Sequence, residues 1–367
     1  MKISMTVPSC RSASGFVSLI IAACLLGPVV RGQNTNSAPP AGAPLRQKPA
    51  DLLCGIQKGV CYSGFRHGQH PDRGEGAVNP SDQEILEDLE ILNRHGNFSL
   101  IRLYDSRDNS EAVLRLVRDH QLNLKVVLGA WLDAEVNNPG NPWRKEPILQ
   151  QVLESNKRKN QEEIEKAIRL ANQYSNIVVA VAVGNEALVS WNDHMVPVDS
   201  VRRYVRQVKQ SVSQPVTVAD NYAWWAQHGT ELAGEVDFIS VHTYPAWEGK
   251  DIDQAMAHTI ANIQAVRDAL PRSRMVITEA GWATVAKEFG PRADEAKQKR
   301  YYHDLYDWAG KNNITTFFFE AFDEDWKGEP NDPSGAEKHW GLFTVDRKPK
   351  LVMADLYPDL KPATASK

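Results

Sequence analysis

The chain has 367 residues, 42% of them hydrophobic and 24% charged, with a formal net charge of −4. That is an ordinary globular composition with enough apolar residues for a large core. It carries no long basic block, which argues against nucleic acid and anionic lipid surfaces as partners.

At the start, Lys2 and Arg11 precede the apolar stretch GFVSLIIAACLLGPVV (15–30). Sixteen residues are short for a spanning helix but suit an export signal, with small Gly32 at a cleavage position. Residues 1–32 are therefore read as a secretory signal, with an uncleaved membrane anchor as the alternative. IAAC (21–24) resembles a lipoprotein box, but the apolar LLGPVV behind Cys24 is unlike the polar stretch expected there. Residues 33–50, rich in Pro, Ala and Asn, read as a linker. Residues 51–361 follow as one catalytic domain and 362–367 as a tail. Beyond the signal only Cys54 and Cys61 remain. Export would let them form a disulfide, whereas Cys61 inside a strand would be a small buried hydrophobe.

Eight short β-forming runs then alternate with helix-period stretches. The strand candidates are residues 55–62, 99–105, 124–131, 177–186, 215–222, 236–244, 274–282 and 314–322. Helix candidates include 81–95, 160–174, 198–212, 251–270 and 293–310, the first with Ser81 and Glu84 spaced as a capping box. Eight β-then-α units over roughly 310 residues predict a (β/α)8 TIM barrel, an α/β fold. A doubly wound sheet is the competing fold, but GIQKGVCYSG (55–64) lacks the glycine pattern of its phosphate turn.

In such a barrel, functional groups sit where strands end. Here the strand ends offer Tyr104 and Asp105, Asn185 and Glu186, Asp220 and Asn221, His242 and Tyr244, Glu279 and Trp282, and Glu320, Asp323 and Glu324. Six strands ending in polar and aromatic groups describe a pocket. Glu186 closes the fourth strand and Glu279 the seventh, on facing sides of one mouth. Cleaving a glycosidic bond with retention needs such a pair: an acid for the leaving oxygen and a carboxylate for the anomeric carbon, about 5–5.5 Å apart.

The blocks GVCYSGFRHGQ, IRLYD, VAVGNEAL, TVADNY, FISVHTYP, ITEAGW and FFFEAFDEDWK…EKHWGLF span about residues 55–350. Together they resemble glycoside hydrolase family 17, in the retaining (β/α)8-barrel clan, whose members act on β-1,3-glucans. The resemblance implies Glu186 as acid/base, Glu279 as nucleophile and Asn185 as holder of the reacting sugar's 2-hydroxyl. It makes Tyr244 a donor that keeps the nucleophile ionised. It makes Glu324, Lys327 and Glu337 supports of the catalytic pair, and Glu320 a further sugar ligand. The matched blocks add Tyr62, Arg66, Tyr104, Asp105, Asn221 and Asp323 to the expected substrate-binding surface.

Tryptophans give separate support, because nine of the ten fall at or after predicted strand ends. Pyranose rings present flat C–H faces that stack on aromatic rings. Trp225 and Trp282 are expected sugar contacts; His67 and His242 could reach ligand, His242 being more readily a core histidine. The expected enzyme is a retaining glycosidase working through a covalent glucosyl-enzyme, with no metal and no organic cofactor. Water as acceptor gives hydrolysis, and a second glucan chain gives transglycosylation with the same residues. The expected partner is a β-1,3-glucan, the expected state a monomer, and the expected location outside the cytoplasm. A non-catalytic glucan-binding protein would be expected to lack one of the two glutamates.

Overall fold

A computed structural model describes residues 47, 52–72, 74–142, 144 and 146–360. The signal segment, the rest of the linker, Trp143 and the tail lie outside the described residues. All eight predicted strands form, as β1 Lys58–Cys61, β2 Leu100–Arg102, β3 Lys125–Ala130, β4 Val178–Asn185, β5 Val216–Asn221, β6 Ile239–Thr243, β7 Met275–Gly281 and β8 Thr316–Phe319. They pair in parallel, in sequence order, and close into a barrel through β1 and β8.

Helices α1 Asp82–Asn93, α2 Asp108–Asp119, α3 Gln150–Gln173, α4 Val198–Ser211, α5 Tyr222–His228, α6 Thr230–Ala233, α7 Ile252–Ala269 and α8 Glu295–Asn312 connect successive strands. The α1 capping box is present: Ser81 Oγ accepts from Glu84 N at 3.3 Å, and Glu84 Oε2 accepts from Ser81 N at 2.8 Å. Tyr222, predicted as strand, instead opens α5, because the Asn221 side chain caps that helix by accepting from Ala223 N at 2.9 Å. The eighth unit differs from expectation. Among the described residues no α-helix follows β8; the chain turns through Ala336–Lys338, where the Trp340 and His339 carbonyls accept from Glu320 N and Thr284 N beyond the strand ends, and finishes at Pro358–Leu360, where Asp359 pairs with Arg94 ahead of β2.

Near-continuous burial of the strands follows from burying both their faces, one inside the barrel and one under helices. Gly129 in β3 lets the chain after β2 pack directly on the strand, since a Cβ there would lie 2.3 Å from the Tyr104 carbonyl. Register shifts fall between Ala182 and Asn185, between Val241 and His242, and between Ile277 and Ala280. Bulges of this kind re-aim side chains, and these three bracket the residues that matter below.

Neither Cys54 nor Cys61 is in a disulfide; Cys54 is exposed and Cys61 is buried in β1, as the small-hydrophobe alternative has it. Gln47, inside the stretch read as linker, donates to the carbonyls of Met275 and Asn313 and accepts from Met275 N. Among the described residues no helix is long and apolar enough to cross a membrane.

Candidate active site

β4 ends in a turn that only a special backbone allows. Gly184 has φ +80° and Glu186 φ +46°, a region non-glycine residues enter at a cost of about 1–3 kcal/mol. The turn is held from three sides. Glu186 N donates to Ala219 O at 2.9 Å, Leu188 N donates to buried Asp220 at 3.0 Å, and the Asn192 amide donates to the Glu186 carbonyl. The result projects the Glu186 carboxylate into the mouth, with a quarter of its side chain still exposed.

Glu279 is buried within β7 and held far more tightly. Oε1 accepts from Arg102 at 2.5 Å and Oε2 from the Tyr244 hydroxyl at 2.5 Å. His242 lies between the two glutamates, its Nδ1 3.0 Å from Glu186 Oε1 and 3.5 Å from Glu279 Oε2. One oxygen of each glutamate and the histidine nitrogen all fall within 4.8 Å of one another. That is the spacing a retaining pair requires and too tight for a water-bearing inverting pair.

Charge in this cluster is arranged asymmetrically. Burial alone would raise the Glu279 pKa, but His242, the Arg102 guanidinium and the Tyr244 hydrogen bond outweigh it, leaving it below the ordinary carboxylate value. Arg102, itself buried, spans the gap from Glu279 to Asn185, donating to the Asn185 side-chain oxygen. The Tyr104 ring lies 4.5 Å beneath the same guanidinium.

The segment after β8 adds a second charged group. Lys327 Nζ stands 2.7 Å from both Glu320 and Glu324, and Ser63 donates to Glu324. Burial and the nearby Glu324 charge push Glu320 well above its ordinary pKa against the pull of Lys327. Glu324 lies below its ordinary value, because Lys327 and hydrogen bonds from Glu320, Lys327 and Ser63 overcome its burial. Lys327 thus bridges two buried carboxylates whose pKa values are driven apart. Glu337 is raised by burial and by the charges of Glu186 and Glu279, with Lys327 opposing.

Several expected ligands are used elsewhere. Trp225 and Trp282 are fully buried, and their indole N–H groups donate to the carbonyls of Ser240 and Arg292 at 2.9 Å. Neither has a face free for sugar, which corrects that expectation. Tyr62 and Arg66 both donate to Asp88, alongside Arg347, in a buried lock between the first loop and the C-terminal segment. Asp105 accepts from Arg107 N and Ser110 Oγ and so shapes the start of α2. Asp323 accepts from Lys350 and Gly341 N. His67 is exposed and paired with Asp325. The exposed faces belong instead to Trp191 and Trp247, each 43% accessible.

Two functional residues were not assigned from sequence. Arg102 was quoted within IRLYD without a role; an arginine in an otherwise apolar strand is the signal that could have found it. His242 is buried, as a core histidine would be, yet it lies against both Glu186 and Glu279. Glu186, His242 and Glu279 also make a three-donor set for a cation. Any cation there would compete with the Arg102 charge already on Glu279.

The model of the BtgE/BtgC glycoside hydrolase domain matches residues 59–341. A glucan 1,3-beta-glucosidase of Arthroderma benhamiae is 26% identical over 291 residues, covering 74% of this chain and 84% of that protein. Among solved structures, an endo-laminarinase from Formosa Hel1_33_131 superposes with a TM-score of 0.69 at 28% identity, covering 83% of this chain and 88% of that one. A glycoside hydrolase family 17 beta-1,3-glucanosyltransferase from Rhizomucor miehei shares the fold, with a TM-score of 0.60 at 21% identity over 81% of this chain and 96% of its own.

Proposed function

Because the chain belongs to the BtgE/BtgC glycoside hydrolase family, we propose that it cleaves β-1,3-glucosidic linkages with retention of configuration. The observation that carries this reading is the approach of Glu186 and Glu279 to within 4.8 Å, with Glu279 kept ionised by Arg102 and Tyr244. Glu279 attacks the anomeric carbon while Glu186 delivers its proton to the departing oxygen. Glu186 then takes a proton from the incoming acceptor as the glucosyl-enzyme breaks down. Asn185, fixed by Arg102, holds the 2-hydroxyl, a contact that strengthens in the transition state.

The relatives' names supply the linkage. The β-1,3-glucan specificity of the glucosidase and the laminarinase is carried to this chain as part of the proposal. An export signal over residues 1–32 would deliver the domain to where such polymers occur. Incubation of the mature domain with β-1,3-, β-1,4- and β-1,6-linked oligosaccharides tests the reading. Cleavage confined to other linkages would overturn it.

A second reading, glucan transfer, is favoured by one observation. Trp247 stands half-exposed on a braced loop, edge-on to Phe289 at 4.7 Å, with Arg292 donating to the neighbouring Ala246 carbonyl. A rigid aromatic on the loop after β6, the strand that carries His242, would hold a sugar acceptor against competition from water. Products longer than the starting oligosaccharide would identify this activity.

A further inference from the structure

In a closed eight-stranded barrel the strands stand about 45° apart around the axis. Glu186 on β4 and Glu279 on β7 therefore leave two openings between them, one over β5 and β6 and one over β1 and β2. A chain whose bond lies between the two carboxylates must pass through both. Trp247 belongs to the first side. The second side carries a groove of about 270 Å3 that the mechanism above does not use.

This groove is formed by two loops with different roles. In the β1–α1 loop His70 and Val78 pair through two backbone hydrogen bonds, closing a small hairpin. Asp72 Oδ1 accepts from Gly74 N and Gly76 N, fixing the hairpin's tip. Arg107 latches this hairpin to the start of α2 by donating to the Asp72 carbonyl at 3.1 Å. Behind Arg107, Glu163 from α3 accepts from Ser106 N at 2.6 Å and Trp131 N at 3.2 Å, pinning the loops after β2 and β3.

Two contacts join the groove to the active site. Phe65 in its lining meets Trp326 edge-on at 5.9 Å, and the Trp326 indole donates to Glu324. On the other side Asp105 lies next to Tyr104, whose ring underlies Arg102. The polar lining mixes acceptors and donors: Asp72, Asp105 and Asp108, the last paired with Lys166, beside Arg107 and the amides of Asn79 and Asn109. Such a mixture suits a neutral, hydroxyl-rich ligand better than an anion or a cation. The volume falls just below the range of about 300–1,000 Å3 for small-molecule pockets, so it has room for a sugar unit or two and not for a whole chain.

We propose that this groove is a remote subsite that binds the glucan several sugar units from the cleaved bond, and so makes the enzyme selective for long chains. The proposal rests on the β-1,3-glucan reading above. It is tested with laminari-oligosaccharides of three to seven units, acted on by the wild type, Arg107→Ala and Asn79→Ala. Asn79 is exposed, so its substitution leaves the fold alone.

The wild-type kcat/KM should rise with chain length. Each variant should lose that rise, by about 5-fold or more on the longest chain and under about 2-fold on the trisaccharide, as for loss of one or two polar contacts. Equal losses at all lengths, no loss at any length, or a wild-type rate indifferent to length would each overturn the subsite. A wild type inert on every β-1,3-linked chain would instead overturn the parent reading, and that result precedes any variant.

Discussion

The ends of β4 and β7 carry the same side chain in opposite settings. Glu279 is buried, and each of its oxygens receives a hydrogen bond, one from Arg102 and one from Tyr244. Glu186 stands on a left-handed turn, a quarter exposed, with His242 against one oxygen. The difference matches the work proposed for each. A nucleophile has to stay ionised and aimed, so fixed donors serve it. An acid/base must gain and lose a proton in each turnover, so contact with solvent and acceptor serves it.

Removing the β7 carboxylate should have the largest effect. Glu279→Gln keeps a side chain of the same shape for Arg102 and Tyr244 to bond but cannot form the glycosyl-enzyme. Turnover should fall by at least about 10⁴-fold while oligosaccharide binding by calorimetry persists. Retained turnover would show that the two glutamates are not divided as described. Arg102→Lys comes next, because one ammonium cannot span Glu279 and Asn185 as the guanidinium does. Loss of a buried, hydrogen-bonded charge contact predicts a fall in kcat of about 10²–10³-fold.

Tyr244→Phe should cost less, about 10–100-fold, as one hydrogen bond to a charged group is lost. Its pH profile is the sharper readout. Wild-type Glu279 lies below the ordinary carboxylate value, so it stays ionised as pH falls through that range and activity persists there. Without the tyrosine hydroxyl the Glu279 pKa rises, and the acid limb of kcat/KM should move to higher pH. An unmoved acid limb would mean that Tyr244 positions the nucleophile without tuning it.

The barrel was legible because its periodicity is repeated eight times, so a boundary error of a residue or two in one strand changes nothing. Glu186 and Glu279 were legible because each ends an apolar run with a carboxylate. Burial was not legible. Trp225 and Trp282 follow strand ends as Trp191 and Trp247 do, yet the first two turn into the core and the last two stay half-exposed. Which way a side chain leaves a turn depends on the packing of the adjacent helix, and α5 carries Trp225 inward against β6. Arg102 was hidden for the opposite reason: its partners lie 83 and 177 residues away, and no local pattern reports them.

Glu163 offers the smallest effect on catalysis and a control for the whole comparison. It is a buried carboxylate at the same end of the barrel, but it stands on α3 and accepts from the backbone N–H groups of Ser106 and Trp131. Burial and the nearby Asp105 charge raise its pKa from 4.5 to about 7, against those two hydrogen bonds. The folded protein therefore holds this proton more tightly than the unfolded chain does. Its stability contribution is complete below about pH 4.5 and is lost as pH rises towards about 7, a change of about 3 kcal/mol. Glu163→Gln, neutral at every pH, should flatten that slope in denaturant titrations and leave kcat on short oligosaccharides within about 2-fold. If burial alone made a carboxylate catalytic at this barrel end, the same substitution would instead stop turnover, and the contrast between β4 and β7 would lose its meaning.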